Sequence, residues 1–384
     1  MTALTVTPTG AVDSVELLAR IVRGDVISPD ALNGIDPDLL AAQAEQHGLL
    51  PLVAERLAGR RGFGAGDVEA PAPLRSLLRA KADAAAVADL FAEVELTRVL
   101  AEFDAAGVGA LVFKGSQLAF THYARPDLRP RIDSDVLIAA DACEAVHALL
   151  DRFGYERSNK VTGDLVTGQS FHIMRRDGEA VHSLDVHWKV ASPIAFAHVF
   201  AYEELAASAV PIPALGPAAR GPDQVHALLI ACVHRVAHHH DLVRLNWLYD
   251  IHLIAERLEE RSWREFVRLA VTREVAAVCR QSLKRSVHLF ETRVPAWVMD
   301  ELRRPETAAA EPTAGYLKTR SMARIVVDEL RVLPGWRDRW RLVRQHVFPP
   351  ADYMRKAYPS AGAVPLPALY AWRFLRGAGK WLTP

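Results

Sequence analysis

The feature that most constrains the fold of this chain is a change in the spacing of its apolar residues. Between residues 15 and 57, apolar side chains recur every three or four positions, as expected for amphipathic helices. At residues 110–113 and 132–138 the runs become short, apolar or alternating, and turn residues bound them, as in strands. From residue 224 the helical spacing returns. This order predicts an α+β fold in which N-terminal and C-terminal helical regions flank a mixed, mostly antiparallel sheet.

The same patterns predict individual elements. An Ala-rich stretch without internal Gly or Pro predicts a long helix over residues 74–106 that stops at Gly107. The turn-forming pair at 177–178 separates two further strands, predicted at 170–175 and 181–190. The other predicted helices span residues 117–123, 141–153, 224–260, 263–289, 336–350 and 366–381.

Two segments rich in Pro and Gly predict the boundaries between domains. Residues 60–73 have the composition of a connecting loop, and residues 210–222 have that of an interdomain linker. We therefore expect an N-terminal helical region over 1–73, a core with its leading helix over 74–209, and a C-terminal helical domain over 223–384.

The charge balance argues against a long polyanion as the partner. Lys plus Arg and Asp plus Glu both total 46, so the formal net charge is zero. The three cysteines lie far apart, which favours neither a disulfide framework nor a zinc site. No apolar run approaches the roughly 20 residues that span a bilayer, and the first residues lack the pattern of a secretory signal. These features lead us to expect a cytoplasmic protein without a membrane span.

Acidic residues at alternating positions predict a metal site in the core. Successive side chains of a strand point to opposite faces of its sheet, so Asp133 and Asp135 share one face. If the strand of Asp185 lies beside theirs, a third carboxylate joins them, and His187 faces the same way. Carboxylates held together repel each other unless a cation lies between them, and three hard oxygen donors suit Mg²⁺, with Mn²⁺ as an alternative. Asp133, Asp135 and Asp185 are therefore the predicted metal ligands.

A glycine-serine pair upstream predicts a site for phosphate. Gly115 and Ser116 follow a strand and precede a predicted helix, so the backbone can approach phosphate oxygens and the helix N-terminus offers free N–H groups. Lys114, Arg129 and Arg131 add positive charge, and arginine can bind phosphate through two hydrogen bonds.

The motifs that carry these residues resemble a known family. The chain is similar to the uncharacterised bacterial nucleotidyltransferases of the DNA polymerase β superfamily over residues 111–258. The resemblance rests on Lys-Gly-Ser at 114–116, Arg-Pro-Arg-Ile-Asp-Ser-Asp-Val-Leu-Ile at 129–138, Phe-His-Ile-Met at 171–174, Leu-Asp-Val-His-Trp at 184–188, and the His-x-x-x-His and Arg-Leu-Asn-Trp-Leu-Tyr-Asp motifs within 234–250. It implies a nucleotidyltransferase core.

The resemblance also implies a role for each group. It makes Gly115 and Ser116 the turn that binds the triphosphate, with Lys114 and Arg129 as further nucleotide-binding residues. It makes Asp133 and Asp135 catalytic metal ligands. Asp185 becomes the third catalytic carboxylate, which binds a second metal or acts as general base toward the acceptor hydroxyl.

The reaction implied by the resemblance is transfer of a nucleoside monophosphate from a nucleoside triphosphate to a hydroxyl or phosphate of an acceptor, with ATP as the expected donor. The zero net charge favours a small-molecule or protein acceptor over tRNA or another nucleic acid. An alternative is a catalytically silent protein that binds a nucleotide or an interaction partner through the same site.

Four histidines are candidates for substrate contact. His172 and His187 lie on predicted strands, and each is equally well interpreted as an ordinary polar residue of a half-buried sheet. His234 and His238 share a helix face at i and i+4, from which they would reach across the cleft. Because Asp241 shares that face with His238, a metallohydrolase built on residues 234–241 is a further alternative.

Overall fold

The structure is a computed structural model that describes residues 14–28, 32–57, 70–158, 168–303, 311–317, 326–327, 329–331, 333, 335–349, 351, 354–355, 358 and 364–382. Its elements follow the α+β order that the sequence predicts. The helices are α1 (Ser14–Arg23), α2 (Pro37–Gln46), α3 (Leu50–Leu57), α4 (Ala72–Ala105), α5 (Lys114–Thr121), α6 (Cys143–Arg152), α7 (Tyr202–Ala207), α8 (Gln224–Ala237), α9 (Leu245–Ala255), α10 (Glu260–Thr272), α11 (Ala276–Phe290), α12 (Ala296–Glu301), α13 (Trp336–Val347) and α14 (Leu366–Leu382). The strands are β1 (Ala110–Val112), β2 (Ser134–Ile138), β3 (Tyr155–Arg157), β4 (Gln169–Arg176), β5 (Glu179–His187), β6 (Val210–Pro211) and β7 (Arg220–Gly221).

The described strands form one seven-stranded sheet in the order β3-β4-β5-β2-β1-β7-β6. The pairs β2–β5 and β1–β7 are parallel, and the other four are antiparallel. The mixed, mostly antiparallel sheet is therefore confirmed. The parallel pairing of β2 with β5 brings Asp135 directly beside Asp185.

The two faces of the sheet pack against different helices. We call the face that carries Leu111, Asp135, Leu137, Asp185 and His187 the front face, and the opposite face the back face. Apolar back-face residues of β1, β2 and β5 join α4 and α6 in one core. On the front face, the apolar residues of β1 and β2 meet α7 and α8. The front face therefore lies toward the C-terminal helices. The carboxylates of Asp135 and Asp185 lie between the sheet and these helices.

The N-terminal and C-terminal helices share a single core. Leu18 of α1, Leu40 of α2 and Val53 of α3 belong to the same buried cluster as Leu248 of α9 and Phe266 of α10. The helices that precede and follow the sheet in sequence therefore pack together. The domain boundaries predicted from the sequence stay a prediction.

Residues 210–222 differ from their expected role as a linker. They contain β6 and β7, which extend the sheet next to β1. A Cβ at Gly221 would lie 2.6 Å from the backbone oxygen of Val112, so glycine allows the close approach of β7 to β1. The linker prediction is wrong because these prolines and glycines serve turns and tight strand contacts. In the predicted loop at 60–73, residues 60–69 lie outside the described residues.

Several predicted helices have other limits in the structure. The leading helix is confirmed as α4, and α5 begins at Lys114 rather than at residue 117. The predicted helix 224–260 is wrong, because α8 ends at Ala237 and the chain reverses through left-handed backbone at His240 (φ 49°) and Asp241 (φ 59°). Glu274 (φ 55°) likewise separates α10 from α11 within the predicted helix 263–289. Among the described helices, none has the length and apolarity needed to cross a bilayer.

Candidate active site

A cavity of about 400 Å³ opens on the front face of the sheet. Its floor comes from the β1–α5 junction and from β2 and β5, and its other wall comes from α8, α9 and the segment between them. The polar and charged residues that line it include Lys114, Ser116, Gln117, Arg129, Arg131, Asp133, Asp135, Gln169, Asp185, His234, His238, His239, Arg244, Asn246 and Asp250.

Two of the three predicted carboxylates meet a histidine on this floor. One ligand atom each of Asp135, Asp185 and His187 lies within 4.8 Å of the others, and within the described part of the chain this is the group of three metal-ligand side chains that forms. His187 Nε2 lies 3.1 Å from Asp135 Oδ1 and 3.4 Å from Asp185 Oδ2. The histidine expected to contact substrate is thus placed between two carboxylates.

Asp133 lies just before β2 and lines the same cavity, outside that group of three. Burial, together with the negative charges of Asp135 and Asp185, raises the pKa of Asp133 to about 6. A divalent cation bound among these three carboxylates would relieve their mutual repulsion.

Lys114 neutralises part of this negative charge. Its Nζ donates to Asp135 Oδ1 at 2.8 Å and lies 3.2 Å from His187 Nε2. Although burial alone would raise it, the pKa of Asp135 lies below its ordinary value because of the Lys114 ammonium and the hydrogen bond to His187. The lysine predicted to bind phosphate is therefore held at the carboxylates in this structure.

One carboxylate oxygen on the floor has no partner. Gln169 Nε2 donates to Asp185 Oδ2 at 2.7 Å, but Asp185 Oδ1 is buried without a hydrogen bond to any described atom. Leaving a buried carboxylate oxygen unsatisfied is costly unless a cation or a proton donor approaches it. The oxygen-rich donor set and this unsatisfied atom fit a divalent cation.

The glycine-serine pair lies in the first turn of α5 and ties it to β2. Ser116 Oγ accepts the backbone N–H of Asp135 at 2.8 Å and lies 3.5 Å from the backbone oxygen of Asp133. A Cβ at Gly115 would lie 2.9 Å from Arg129 Nη2, so glycine leaves room for that guanidinium. The pair thus brings the start of α5 beside both aspartates.

Arg129 is engaged in a buried ion pair. Its Nε and Nη2 donate to the two carboxylate oxygens of Asp250 on α9 at 2.9 and 2.8 Å, and Tyr123 donates to the same carboxylate at 2.8 Å. The predicted nucleotide-binding arginine therefore lines the cavity while its charge is paired with the C-terminal helices.

The structure brings three of the four candidate histidines to this region. His234 and His238 line the cavity, and His187, which does not line it, contacts the floor carboxylates Asp135 and Asp185. His172 is not among the cavity residues, and its ring lies beside His147 with Nε2 3.0 Å from Ser170 Oγ. The reason is the alternation of strand side chains: Phe171 pairs with Asp185, so the next residue points to the back face.

The histidine cluster at residues 234–241 does not form a metal site among the described residues. Because α8 ends at Ala237, Asp241 does not share a helix face with His238, and its carboxylate is bound by Arg235 and Arg285. His239 stacks on Trp247, with 3.9 Å between ring centroids. The metallohydrolase alternative loses its geometric basis.

The cavity residues that the sequence interpretation did not select include Arg244 and Gln169. The Arg244 guanidinium lies 5.2 Å from the Trp247 ring, and its Nε is buried without a hydrogen bond to a described atom. Gln169 lies opposite His187 on β4 and holds Asp185. Strand alternation could have placed Gln169 on the front face, but Arg244 is positioned by the chain reversal before α9, which leaves no periodic signal.

A family model described as an uncharacterised nucleotidyltransferase matches residues 33–291, about two thirds of the 384-residue chain. The match includes the whole sheet and every cavity residue named above. A comparison with the curated proteins gives no match.

Proposed function

The chain belongs to the uncharacterised nucleotidyltransferase family, and we propose that its front-face cavity transfers a nucleoside monophosphate from a nucleoside triphosphate to a hydroxyl or phosphate of an acceptor. The observation that carries this proposal is the convergence of Asp135, Asp185 and His187 within 4.8 Å, beside the start of α5.

Asp133, Asp135 and Asp185 are the proposed ligands of Mg²⁺, or of Mn²⁺, with His187 as a nitrogen donor beside them. The ion, when bound, would polarise phosphoryl oxygens and stabilise the leaving pyrophosphate. One support is the pKa of Asp133, which burial and the negative charges of two neighbouring carboxylates raise to about 6. The other is the unsatisfied oxygen of Asp185.

The cations and the helix start supply the proposed triphosphate site. Gly115 and Ser116 place the first N–H groups of α5 at the cavity, where they can donate to phosphate oxygens. Lys114 is close enough to exchange its contact with Asp135 for a phosphate once a cation neutralises the carboxylates. Arg244, whose Nε has no described partner, adds a second positive charge on the opposite wall.

Asp185 is the proposed third carboxylate of the reaction. Gln169 holds its Oδ2, so its Oδ1 either binds the metal ion or takes the proton of an attacking hydroxyl. ATP is the donor we propose to test first, and the acceptor is proposed to be a small molecule or a protein, since the net charge of the chain is zero.

The test is transfer of label from α-³²P nucleoside triphosphates, with pyrophosphate release measured in parallel, with and without Mg²⁺. We expect Asp135→Asn and Asp185→Asn each to reduce transfer by at least about 100-fold, since each removes charge that acts at the reacting phosphate. Asp177→Asn is the matched control, because it makes the same change at the exposed β4–β5 turn (φ 53°), where asparagine is tolerated. Wild-type pyrophosphate release by Asp135→Asn would show the site assignment to be wrong. Mg²⁺-dependent nucleotide binding without pyrophosphate release would instead favour the catalytically silent alternative.

A further inference from the structure

The long helix α4 presents an apolar face to solvent. Its second half packs Leu96, Val99, Leu100 and Phe103 against the back face of the sheet. On the opposite side, Val87, Leu90, Phe91 and Val94 are 57–60% exposed. We call these four residues the α4 patch.

The spacing of the α4 patch is that of a helix–helix seam. Val87, Leu90, Phe91 and Val94 follow the i, i+3, i+4, i+7 pattern, so all four lie on one side of two helical turns. Isolated exposed apolar residues are ordinary on monomers, whereas a contiguous group is typical of an interaction surface. The exposed small residues Ala84 and Ala88 beside the patch allow the backbone of a second helix to approach closely.

The charges at the two ends of the α4 patch complement those of a second copy of α4. Asp83 lies four residues before Val87, and Arg98 lies four residues after Val94. In an antiparallel pair centred between Leu90 and Phe91, Leu90 faces Phe91, Val87 faces Val94, and Asp83 of each copy lies near Arg98 of the other. A parallel pair would place Asp83 beside Asp83 and Arg98 beside Arg98. Charge complementarity therefore selects the antiparallel arrangement.

Both charged groups are available at the surface. The side chain of Asp83 is 76% exposed, with Arg79 Nε of the same helix 3.9 Å from its carboxylate, and the side chain of Arg98 is 38% exposed. Glu95 Oε2 accepts from Arg98 Nε and Nη2 at 3.0 and 2.8 Å, and the guanidinium lies 5.1 Å from the Phe153 ring. Arg98 is thus held in place at the rim of the α4 patch.

We propose that the protein forms a two-fold symmetric dimer in which the α4 patches of two copies pack antiparallel against each other. The interface buries Val87, Leu90, Phe91 and Val94 of both copies and is flanked by two Asp83–Arg98 ion pairs. It does not depend on the proposed reaction, because the α4 patch lies on the side of α4 that faces away from the sheet.

The first test is the mass of the full chain in solution, by light scattering after gel filtration and by sedimentation velocity over a range of concentrations. We expect a dimer of the 42.3 kDa chain and expect Phe91→Glu to convert it to monomer. Phe374→Glu is the matched control, because Phe374 is 67% exposed on α14, and this variant should remain dimeric. Circular dichroism and thermal unfolding of each variant establish that it is folded. A monomeric wild-type chain, or a dimer that survives Phe91→Glu, would overturn the proposal.

The second test reverses the charges at the rim. Asp83→Arg and Arg98→Asp should each weaken dimerisation by at least about tenfold, because like charges then face each other. Mixing the two single variants should restore association as a heterodimer, since both rim pairs become complementary again, and the double variant should dimerise with itself. If the mixed variants associate no better than each one alone, the antiparallel register is wrong.

Discussion

The two faces of the sheet bury polar groups in different ways. On the back face, Ser134 Oγ lies 2.9 Å from His182 Nε2 and Tyr155 Oη lies 2.6 Å from His182 Nδ1, so both ring nitrogens have neutral partners. On the front face, the buried groups are charged, and Asp185 Oδ1 remains without a described partner. Residues next to each other in sequence, such as Ser134 and Asp135, therefore lie in opposite environments.

Among the described residues, each face holds an unpartnered buried atom, but on the back face it is a nitrogen of the neutral His172 ring, whereas on the front face it is a carboxylate oxygen, which attracts a cation. Neutral hydrogen bonds on the back face satisfy His182 within the protein. On the front face, satisfying Asp185 requires something from outside the described chain. A strand can serve both purposes because its successive side chains point to opposite faces.

The largest effect on stability is expected from breaking the front-face ion pair between Arg129 and Asp250. Asp250→Asn leaves a buried guanidinium without its counter-charge, which costs about 3–5 kcal/mol in the free energy of unfolding. Urea denaturation measures this loss. Asp104→Asn on the exposed side of α4 is the control. Equal stability of the two variants would mean that the Arg129–Asp250 pair does not hold the α9 helix to the core.

A smaller effect is expected from pH on the back face. Burial lowers the pKa of His182 to about 4 from the ordinary 6.5, so the folded chain keeps this ring neutral. Its contribution to stability is therefore complete above pH 6.5 and is lost as the pH falls toward 4. At pH 5 this amounts to about 1–2 kcal/mol.

The measurement compares the free energy of unfolding of the wild type and of His182→Gln at pH 7 and pH 5. Glutamine does not titrate, so the variant should lose less stability than the wild type over this interval. All other histidines are common to both proteins and cancel in the comparison. Identical losses would show that His182 is not kept neutral by the fold.

The smallest effect is expected from the hydrogen bond that joins α5 to β2. Ser116→Ala removes the acceptor of the Asp135 N–H and should reduce stability by about 1 kcal/mol, the usual contribution of a neutral hydrogen bond. Thermal unfolding measures the change. An additional rise in the KM for the nucleoside triphosphate is expected, since Ser116 also positions the start of α5 at the proposed phosphate site. A KM that stays unchanged would place the phosphates elsewhere in the cavity.

Much of the site could be predicted because its signals are local. Asp133 and Asp135 are two residues apart, and so are Asp185 and His187. Each pair can therefore be assigned to one face of its strand without knowing which strands lie beside it. The same parity rule would have assigned His172 to the back face, had the pairing of Phe171 with Asp185 been known. That pairing depends on which strands lie side by side.

Other parts of the site could not be predicted because they join distant residues. Arg129 and Asp250 are 121 positions apart, and only packing of α9 against the core pairs the guanidinium with this carboxylate. The reversal after α8 likewise contains ion pairs of Asp241 with Arg235 and Arg285 that join separate helices. Helical periodicity continues through such a reversal, so residues 224–260 appeared continuous.

By itself, the sequence determined the α+β order, the long helix α4, the face on which each aspartate lies, and the nucleotidyltransferase family. Tertiary structure alone decided that β2 lies beside β5, that Lys114 and His187 meet the carboxylates, and that Arg129 is paired with Asp250. The reason is that the direction of a side chain follows from backbone geometry within a few residues, whereas its partner depends on how separate elements pack.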